Sequence, residues 1–378
     1  MRIGIITHNY PLHSNDRKDA GIFLYDFAHK LAEQHQVFIL CPDFIGNKEK
    51  YLDVPVTWFK WTGGGQKLGS FNVLSITSWR DLFSLLSQGR SATVKFYDDN
   101  KLDFCLAAWV FPAGFLIWSA NKKRKIQYAT WSLGSDINKY ARLPFLKEIM
   151  ATILTSAAIR YANSRDLCKK IEKLSGKSCN FLPAVTDFMV GGVPEKKLDL
   201  DKTNFLFVGR LETVKGPDIL LEAVKRLREE RLDFKVWIVG DGSMMNYLKE
   251  YAKKNHIESF VELTGIGDKD VVASYMKGAD CIIIPSRSES LPLVLLESAT
   301  VKLPVIAANV GDCAYIVGKY KIGEIFKKDN SEDLADKMKG FILKKKNAFS
   351  KADFVGIEKE FSQKNAVNKF VSDVKKNI

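Results

Sequence analysis

Short apolar runs alternate with longer amphipathic stretches along almost the whole of this 378-residue chain. An apolar run of this length reads as a strand buried on both faces, and parallel strands need helical crossovers to cover those faces. The pattern therefore restricts the chain to doubly wound α/β architecture. In the first half, strands are expected at Ile3 to Thr7, Val37 to Cys41, Val54 to Phe59, Phe104 to Ala107, Ile126 to Thr130 and Cys179 to Leu182. Helices are expected at Ala20 to Gln34 and Phe145 to Ile159; residues 61 to 95 hold a loop at Gly63 to Gly65 and then a helix. In the second half, strands at Phe205 to Val208, Phe234 to Val239, Phe260 to Leu263, Cys281 to Ile284 and Pro304 to Ala307 alternate with helices starting near Gly216, Ser243, Lys269 and Leu291.

Pro183, Gly191, Gly192 and Pro194 precede a charged stretch that ends at Lys202, the composition of a domain boundary. Two Rossmann-like domains follow, residues 1–190 and 203–357, with a helical tail over residues 358–378 returning to the first. A hydrophobic content of 46% and a charged content of 27% set disorder aside. The six cysteines form no C-x-x-C pair and lie in or beside apolar runs, which predicts reduced core residues and no metal site. No basic and apolar leader precedes the first strand and no apolar run is long enough to span a bilayer, so the expected location is the cytoplasm. Of the net charge of +13, residues 1–202 carry 28 basic against 19 acidic side chains. Such a cationic first domain suits an anionic membrane face, a phosphorylated acceptor or nucleic acid, or it is simply a solvated surface.

Ligands bind open parallel sheets at the carboxyl ends of the strands, so chemistry is sought in the loops there. The richest stretch is residues 280 to 307. The apolar Cys281 to Ile284 is broken by Pro285 and the polar Ser286 to Ser290, and a helix follows with Ser290 as its N-cap and Pro292 in its first turn. Free N–H groups after Glu289 would attract an anion, phosphate above all. Glu297 stands eight positions on, two turns into that helix. After the strand at Phe205, Gly209 allows close backbone approach, while Arg210 and Lys215 could neutralise a diphosphate or could be two solvated surface cations. Gly240-Asp241-Gly242 has the glycines of a tight strand-to-helix turn without the third glycine of a dinucleotide fingerprint, and Gly265-Ile266 could offer main-chain groups to a base.

Taken in order, Gly209-Arg-Leu with Lys215-Gly216, Gly240-Asp-Gly, Thr264-Gly-Ile and Ser286-Arg-Ser-Glu-Ser-Leu-Pro-Leu-Val-Leu-Leu-Glu resemble the donor half of the retaining GT-B glycosyltransferases of family 4, also called glycosyl transferases group 1. Tyr10-Pro11, Gly21, Trp109 with Pro112 and Gly114, Gly134-Ser135-Asp136, Ala162-Asn163-Ser164, Leu182-Pro183 with Asp187, and Phe361-Ser362 extend the resemblance over nearly the whole chain. It implies two Rossmann-like domains facing each other across a cleft, the first binding the acceptor and the second a nucleotide sugar, a UDP-sugar first and a GDP-sugar second. It gives Arg210 and Lys215 the donor diphosphate, Glu297 the ribose, Glu289 the transferred sugar, and the N–H groups of Leu293 and Val294, after Leu291, the phosphates. Gly21 would let backbone reach the phosphates from the first domain. No cofactor and no metal are implied.

Where many relatives carry a His before the Gly-x-Asp of the first domain, this chain has Leu133, which cannot donate or accept a proton. His8 is the one histidine, among His8, His13, His29, His35 and His256, expected to face the cleft; Asp136 either positions the acceptor or caps a helix. The basic Lys122 to Lys125 beside the apolar Phe111 to Trp118 suggests a lipid-linked or cell-surface glycan acceptor reached at an anionic membrane face. A sugar-nucleotide epimerase or phosphorylase is the rival within enzymes. A polyanion-binding protein is the rival outside them, although no basic and aromatic platform for nucleic acid is present.

Overall fold

A computed structural model describes residues 1–11, 21–43, 53–63, 75–121, 124–186, 188, 191–344, 349 and 351–377. His13, Ala20, Gly64, Gly65, Lys122, Lys123 and Asp187 lie outside the described residues. The chain divides into two compact units, Met1–Asp187 with Gln363–Ile378, and Phe188–Ser362.

The first unit is built on seven parallel strands: β1 (Arg2–Ile6), β2 (Gln36–Pro42), β3 (Val56–Phe59), β4 (Phe104–Ala108), β5 (Tyr128–Ser132), β6 (Ile159–Ala162) and β7 (Asn180–Phe181). Their spatial order is β3-β2-β1-β4-β5-β6-β7. Successive residues face opposite sides, so Ile3 and Ile5 enter one core and Ile6 the other. The first core is closed by α1 (Ile22–Ala32) and by a helix from the chain's far end, and the second by α2 (Ile76–Asn100), α3 (Phe115–Asn121), α5 (Pro144–Ser156) and α6 (Arg165–Ser175). The short α4 (Ser135–Lys139) follows β5.

Three local expectations change. Ile159 begins β6 rather than ending a helix, because α5 stops at Ser156 and the Arg160 guanidinium donates to the carbonyls of Leu154, Ala157 and Ser178. The fifth strand lies at Tyr128–Ser132, two residues beyond its expected start. Phe111, Leu116 and Ile117 are buried core residues, so the apolar run beside the basic cluster does not form a surface patch. Among the described residues the large exposed apolar side chains of this unit are instead Trp79 and Phe83 on α2 and Leu143 and Phe145 at the start of α5. No helix among the described residues is long and apolar enough to cross a membrane.

The second unit carries six parallel strands, β8 (Thr203–Val208), β9 (Phe234–Val239), β10 (Val261–Gly265), β11 (Cys281–Ile284), β12 (Val305–Ala308) and β13 (Gly323–Phe326), in the order β10-β9-β8-β11-β12-β13. Its helices are α7 (Pro217–Arg228), α8 (Met245–Lys254), α9 (Lys269–Gly278), α10 (Leu293–Thr300), α11 (Cys313–Tyr320), α12 (Ser331–Lys344) and α13 (Phe354–Glu360). The sequence pattern missed β13, whose Gly-Glu-Ile-Phe is only half-buried except at Phe326. The tail is two helices rather than one. α13 belongs to the second unit, where Glu360 meets Lys319 and Tyr320, and α14 (Gln363–Lys375) belongs to the first. There Phe370 is fully buried between Phe27, Phe104 and Tyr161, and Tyr161 donates to Asp373 at 3.1 Å.

Candidate functional site

Each sheet grows outward in both directions from a neighbouring pair whose chain order reverses, β1 with β4 in the first unit and β8 with β11 in the second. Loops leaving such a pair part in opposite directions and open a crevice, where ligands bind.

In the second unit the two loops converge on a charge pair. Lys215 follows β8 and Glu289 follows β11, and the ammonium lies 2.6 Å from Glu289 Oε1. Ser286 donates to the same oxygen at 2.7 Å. The carboxylate side chain is 10% exposed and the lysine 28%, so the pair is sheltered without being sealed. Gly216 makes the approach feasible: its φ is +67°, and a Cβ there would stand 2.1 Å from the carbonyl oxygen of Pro285. On the opposite flank of β8, Leu211 donates to the Asp241 carbonyl at 2.9 Å, and Glu212 accepts from the amide and hydroxyl of Ser243 at 3.1 and 2.7 Å. Gly240 meets the Gly209 carbonyl so closely that a Cβ would lie 1.9 Å from it. The carboxyl ends of β8, β9 and β10 are thereby laced together, with Gly240 N–H donating to the Gly265 carbonyl at 2.8 Å.

Arg210 stands exposed at this edge; its carbonyl accepts the Glu212 N–H at 2.9 Å, while its guanidinium makes no hydrogen bond or ion pair among the described residues. Ile266, next to Gly265, is 72% exposed. The helix after Glu289 begins later than its sequence suggests. α10 starts at Leu293 with Pro292 at the cap and no side-chain cap, while the Ser290 carbonyl accepts the Asp312 N–H at 3.0 Å. The extended backbone at Pro292 cannot continue a helix back to Ser290. Leu293 and Val294 therefore carry free N–H groups at a true helix start, Leu291 is buried, and Glu297 is the fifth residue of α10, one turn in rather than two.

In the first unit the loops after β1 and β4 meet where the His8 ring packs edge-on against Trp109, with centroids 4.4 Å apart. Trp109 is held at φ +72°, a conformation rare for a bulky residue, and its N–H donates to the Trp131 carbonyl. Burial pulls the His8 imidazole down to about 4, and its Nδ1 has no partner among the described residues, so the ring is neutral near pH 7. Asp136 is fully buried and accepts the N–H groups of Val110, Gly134 and Ile137 at 2.9 to 3.1 Å. Burial raises its carboxyl pKa and those amides oppose the rise. These bonds tie the β5 turn to the β4 turn. Leu133 packs against the α1 and α14 core. Gly21 caps α1 in ordinary helical backbone, and a Cβ there would press on the Asn9 carbonyl at 2.9 Å.

Sequence reasoning singled out Lys215 and Glu289 but not what holds them. Ser286 and Arg287 sit inside the same motif, and the Glu212–Ser243 tie joins two motifs that had been treated as separate.

Residues 193–352 match the family described as "Glycosyl transferases group 1", a stretch that lies wholly inside the second unit. The match takes in most of the second unit and none of the first. An uncharacterized glycosyltransferase of Methanocaldococcus jannaschii is 34% identical to the chain over 171 residues, 45% of this chain and 46% of the relative. A putative teichuronic acid biosynthesis glycosyltransferase of Bacillus subtilis, TuaC, is 29% identical over 231 residues, 58% of this chain and 56% of the relative. The chain thus spans about half the length of the curated relatives it matches. The structure of HepE from Anabaena, solved in complex with UDP, superposes with a TM-score of 0.75 at 15% identity and covers all of both chains. The fold is GT-B, two doubly wound sheets of seven and six parallel strands.

Proposed function

We propose that this chain is a retaining glycosyltransferase of family 4 that moves a sugar from a nucleoside-diphosphate sugar, a UDP-sugar first and a GDP-sugar second, to an acceptor hydroxyl. The observation that carries the reading is the meeting of Lys215 and Glu289 at the β8/β11 reversal, beside the unengaged Arg210. The two cations would neutralise the diphosphate and the charge that develops on it as it leaves, without a metal ion. The N–H groups of Leu293 and Val294 would take phosphate oxygens, Glu297 the ribose hydroxyls, and Gly265 and Ile266 the base. One oxygen of Glu289 is held by Lys215 and Ser286, which leaves the other to accept from a sugar hydroxyl. In the reaction the bond from the anomeric carbon to the phosphate oxygen breaks and a bond to the acceptor oxygen forms on the same face. The acceptor proton passes to the departing phosphate.

The acceptor belongs to cell-surface glycan or glycolipid synthesis in this reading, as the name of the Bacillus subtilis relative suggests for that protein. Contact with an anionic membrane at its cytoplasmic face is supported by the exposed Trp79, Phe83, Leu143 and Phe145 of the cationic first unit. Sedimentation with phosphatidylglycerol vesicles would fall in a Phe83→Ser, Phe145→Ser double variant; sedimentation equal to the parent removes this part. Thermal-shift measurements against UDP- and GDP-sugars test the donor site. Stabilisation by one nucleotide class is expected, and it is lost in Lys215→Ala. Equal stabilisation of parent and variant would place the donor elsewhere.

A further inference from the structure

The two loops that carry Lys215 and Glu289 leave adjacent strands, whose paired residues end at Leu206 and Ile282. Beyond that point no sheet hydrogen bond keeps them together. The link is Arg287. Its main-chain N–H donates to the Val214 carbonyl at 2.9 Å, and its Nη1 donates to the Thr213 carbonyl at 2.7 Å, so it grips the two residues that precede Lys215. The same guanidinium holds Asp218, in the first turn of α7, through Nη1 and Nη2 at 2.8 and 2.6 Å, and its Nε lies 2.7 Å from Asp329 Oδ1. Asp329 comes from the turn between β13 and α12 and sits in left-handed backbone at φ +56°. One side chain, only 27% exposed, thus joins three loops.

An isolated surface ion pair would do little. Here the planar fork satisfies both oxygens of one carboxylate, an oxygen of a second and a main-chain carbonyl together, a set that a point cation such as lysine cannot reproduce. These contacts occupy the whole guanidinium, so Arg287 is engaged with protein through every nitrogen, whereas the Lys215 ammonium has, among the described residues, the single carboxylate partner Glu289 and keeps donors for a ligand.

We infer that Arg287 is a positioning residue that fixes the height of the Lys215 ammonium over the crevice, and that it acts on recognition of the second phosphate of a nucleoside diphosphate through Lys215 rather than by touching it. This rests on the donor-site reading above. The test compares dissociation constants for UDP with UMP, and for GDP with GMP, by titration calorimetry in the parent, Lys215→Ala, Arg287→Ala, Arg287→Lys and Asp329→Asn. Since full loss of a charge-assisted contact from Lys215 would cost about 10- to 100-fold, Arg287→Ala, which only displaces that contact, is expected to cut the diphosphate-over-monophosphate preference by about tenfold. Arg287→Lys and Asp329→Asn are expected to fall between, with monophosphate affinity nearly unchanged. Partial unfolding would lower the fraction of binding-competent protein without altering that ratio, and if Arg287→Ala does not fold the other two variants carry the test. A parent-like ratio in the Arg287 and Asp329 variants, with Lys215→Ala reduced, overturns the inference alone. A parent without preference for either diphosphate, or a Lys215→Ala ratio equal to the parent's, overturns the donor-site reading instead.

Discussion

Replacing Glu289 with Gln keeps the shape of the side chain and removes its charge, and the structure gives that change opposite signs in binding and in turnover. The carboxylate lies 2.6 Å from the Lys215 ammonium, with Ser286 on the same oxygen. A phosphate oxygen docked on the free side of the ammonium would stand about 5 Å from the carboxylate, where two unit charges repel by about 1 to 3 kcal/mol at an effective dielectric constant of about 20 to 80. Relief of that repulsion should tighten UDP binding by about 5- to 100-fold in Glu289→Gln. Lys215→Ala, which deletes a charge-assisted contact worth about 1.5 to 3 kcal/mol, should weaken it by about 10- to 100-fold. Turnover should fall in both, by about 100-fold for Glu289→Gln if its second oxygen meets the sugar as the transition state forms. Calorimetry with UDP reports the binding, and release of free sugar from a UDP-sugar reports the turnover. Weakened UDP binding in Glu289→Gln, comparable to that of Lys215→Ala, would refute the reasoning. It would mean that the carboxylate serves to aim the lysine and that its repulsion of the ligand is negligible.

Other perturbations test the frame around the site. His8 has its pKa lowered to about 4 from an ordinary 6.5, so the unfolded chain binds more protons between those values and stability rises with pH across that window. About 1 to 3 kcal/mol should be lost as pH falls through it, and urea melts at about pH 7 and about pH 5 should show that loss in the parent and a flatter response in His8→Gln. An identical pH response in the variant would rule His8 out as the cause. Gly216→Ala places a Cβ 2.1 Å from the Pro285 carbonyl in left-handed backbone and should cost about 2 to 4 kcal/mol, read as a lower denaturation midpoint. An unchanged midpoint would show that the loops slide apart freely. Phe370→Ala empties a fully buried site among Phe27, Phe104 and Tyr161 and should cost about 3 to 5 kcal/mol of the first unit's stability in the same melts.

Buried parallel strands announce themselves in sequence because both faces must be apolar, and the runs at Ile3, Phe104, Phe205 and Cys281 are of that kind. Strands with polar or half-exposed positions are less visible. β6 carries Arg160 in its middle and β13 is half-exposed, so neither shows an unbroken apolar run. The apolar stretch from Phe111 to Trp118 misled for a related reason, since a hydrophobic run beside basic residues has the same composition whether it faces a core or a membrane. At the site, residue types and motif order pointed to Lys215 and Glu289, because the chemistry of a diphosphate asks for a cation and an ordered acceptor. Arg287 stood in the same motif and was passed over. Its importance lies in contacts to Thr213, Asp218 and Asp329, positions 74, 69 and 42 residues away, and no local pattern encodes distances of that kind.

The return of α14 to the first unit has a consequence for how the protein is made. The second unit is an insertion between residues 187 and 363 of the first, so its own strands and helices are all synthesised before the first unit's final helix. All residues of the second unit are joined while the surface of Phe27, Phe104 and Tyr161 still waits for Phe370. The order of completion is therefore the reverse of the order of synthesis: the unit begun first on the ribosome is the last that can close.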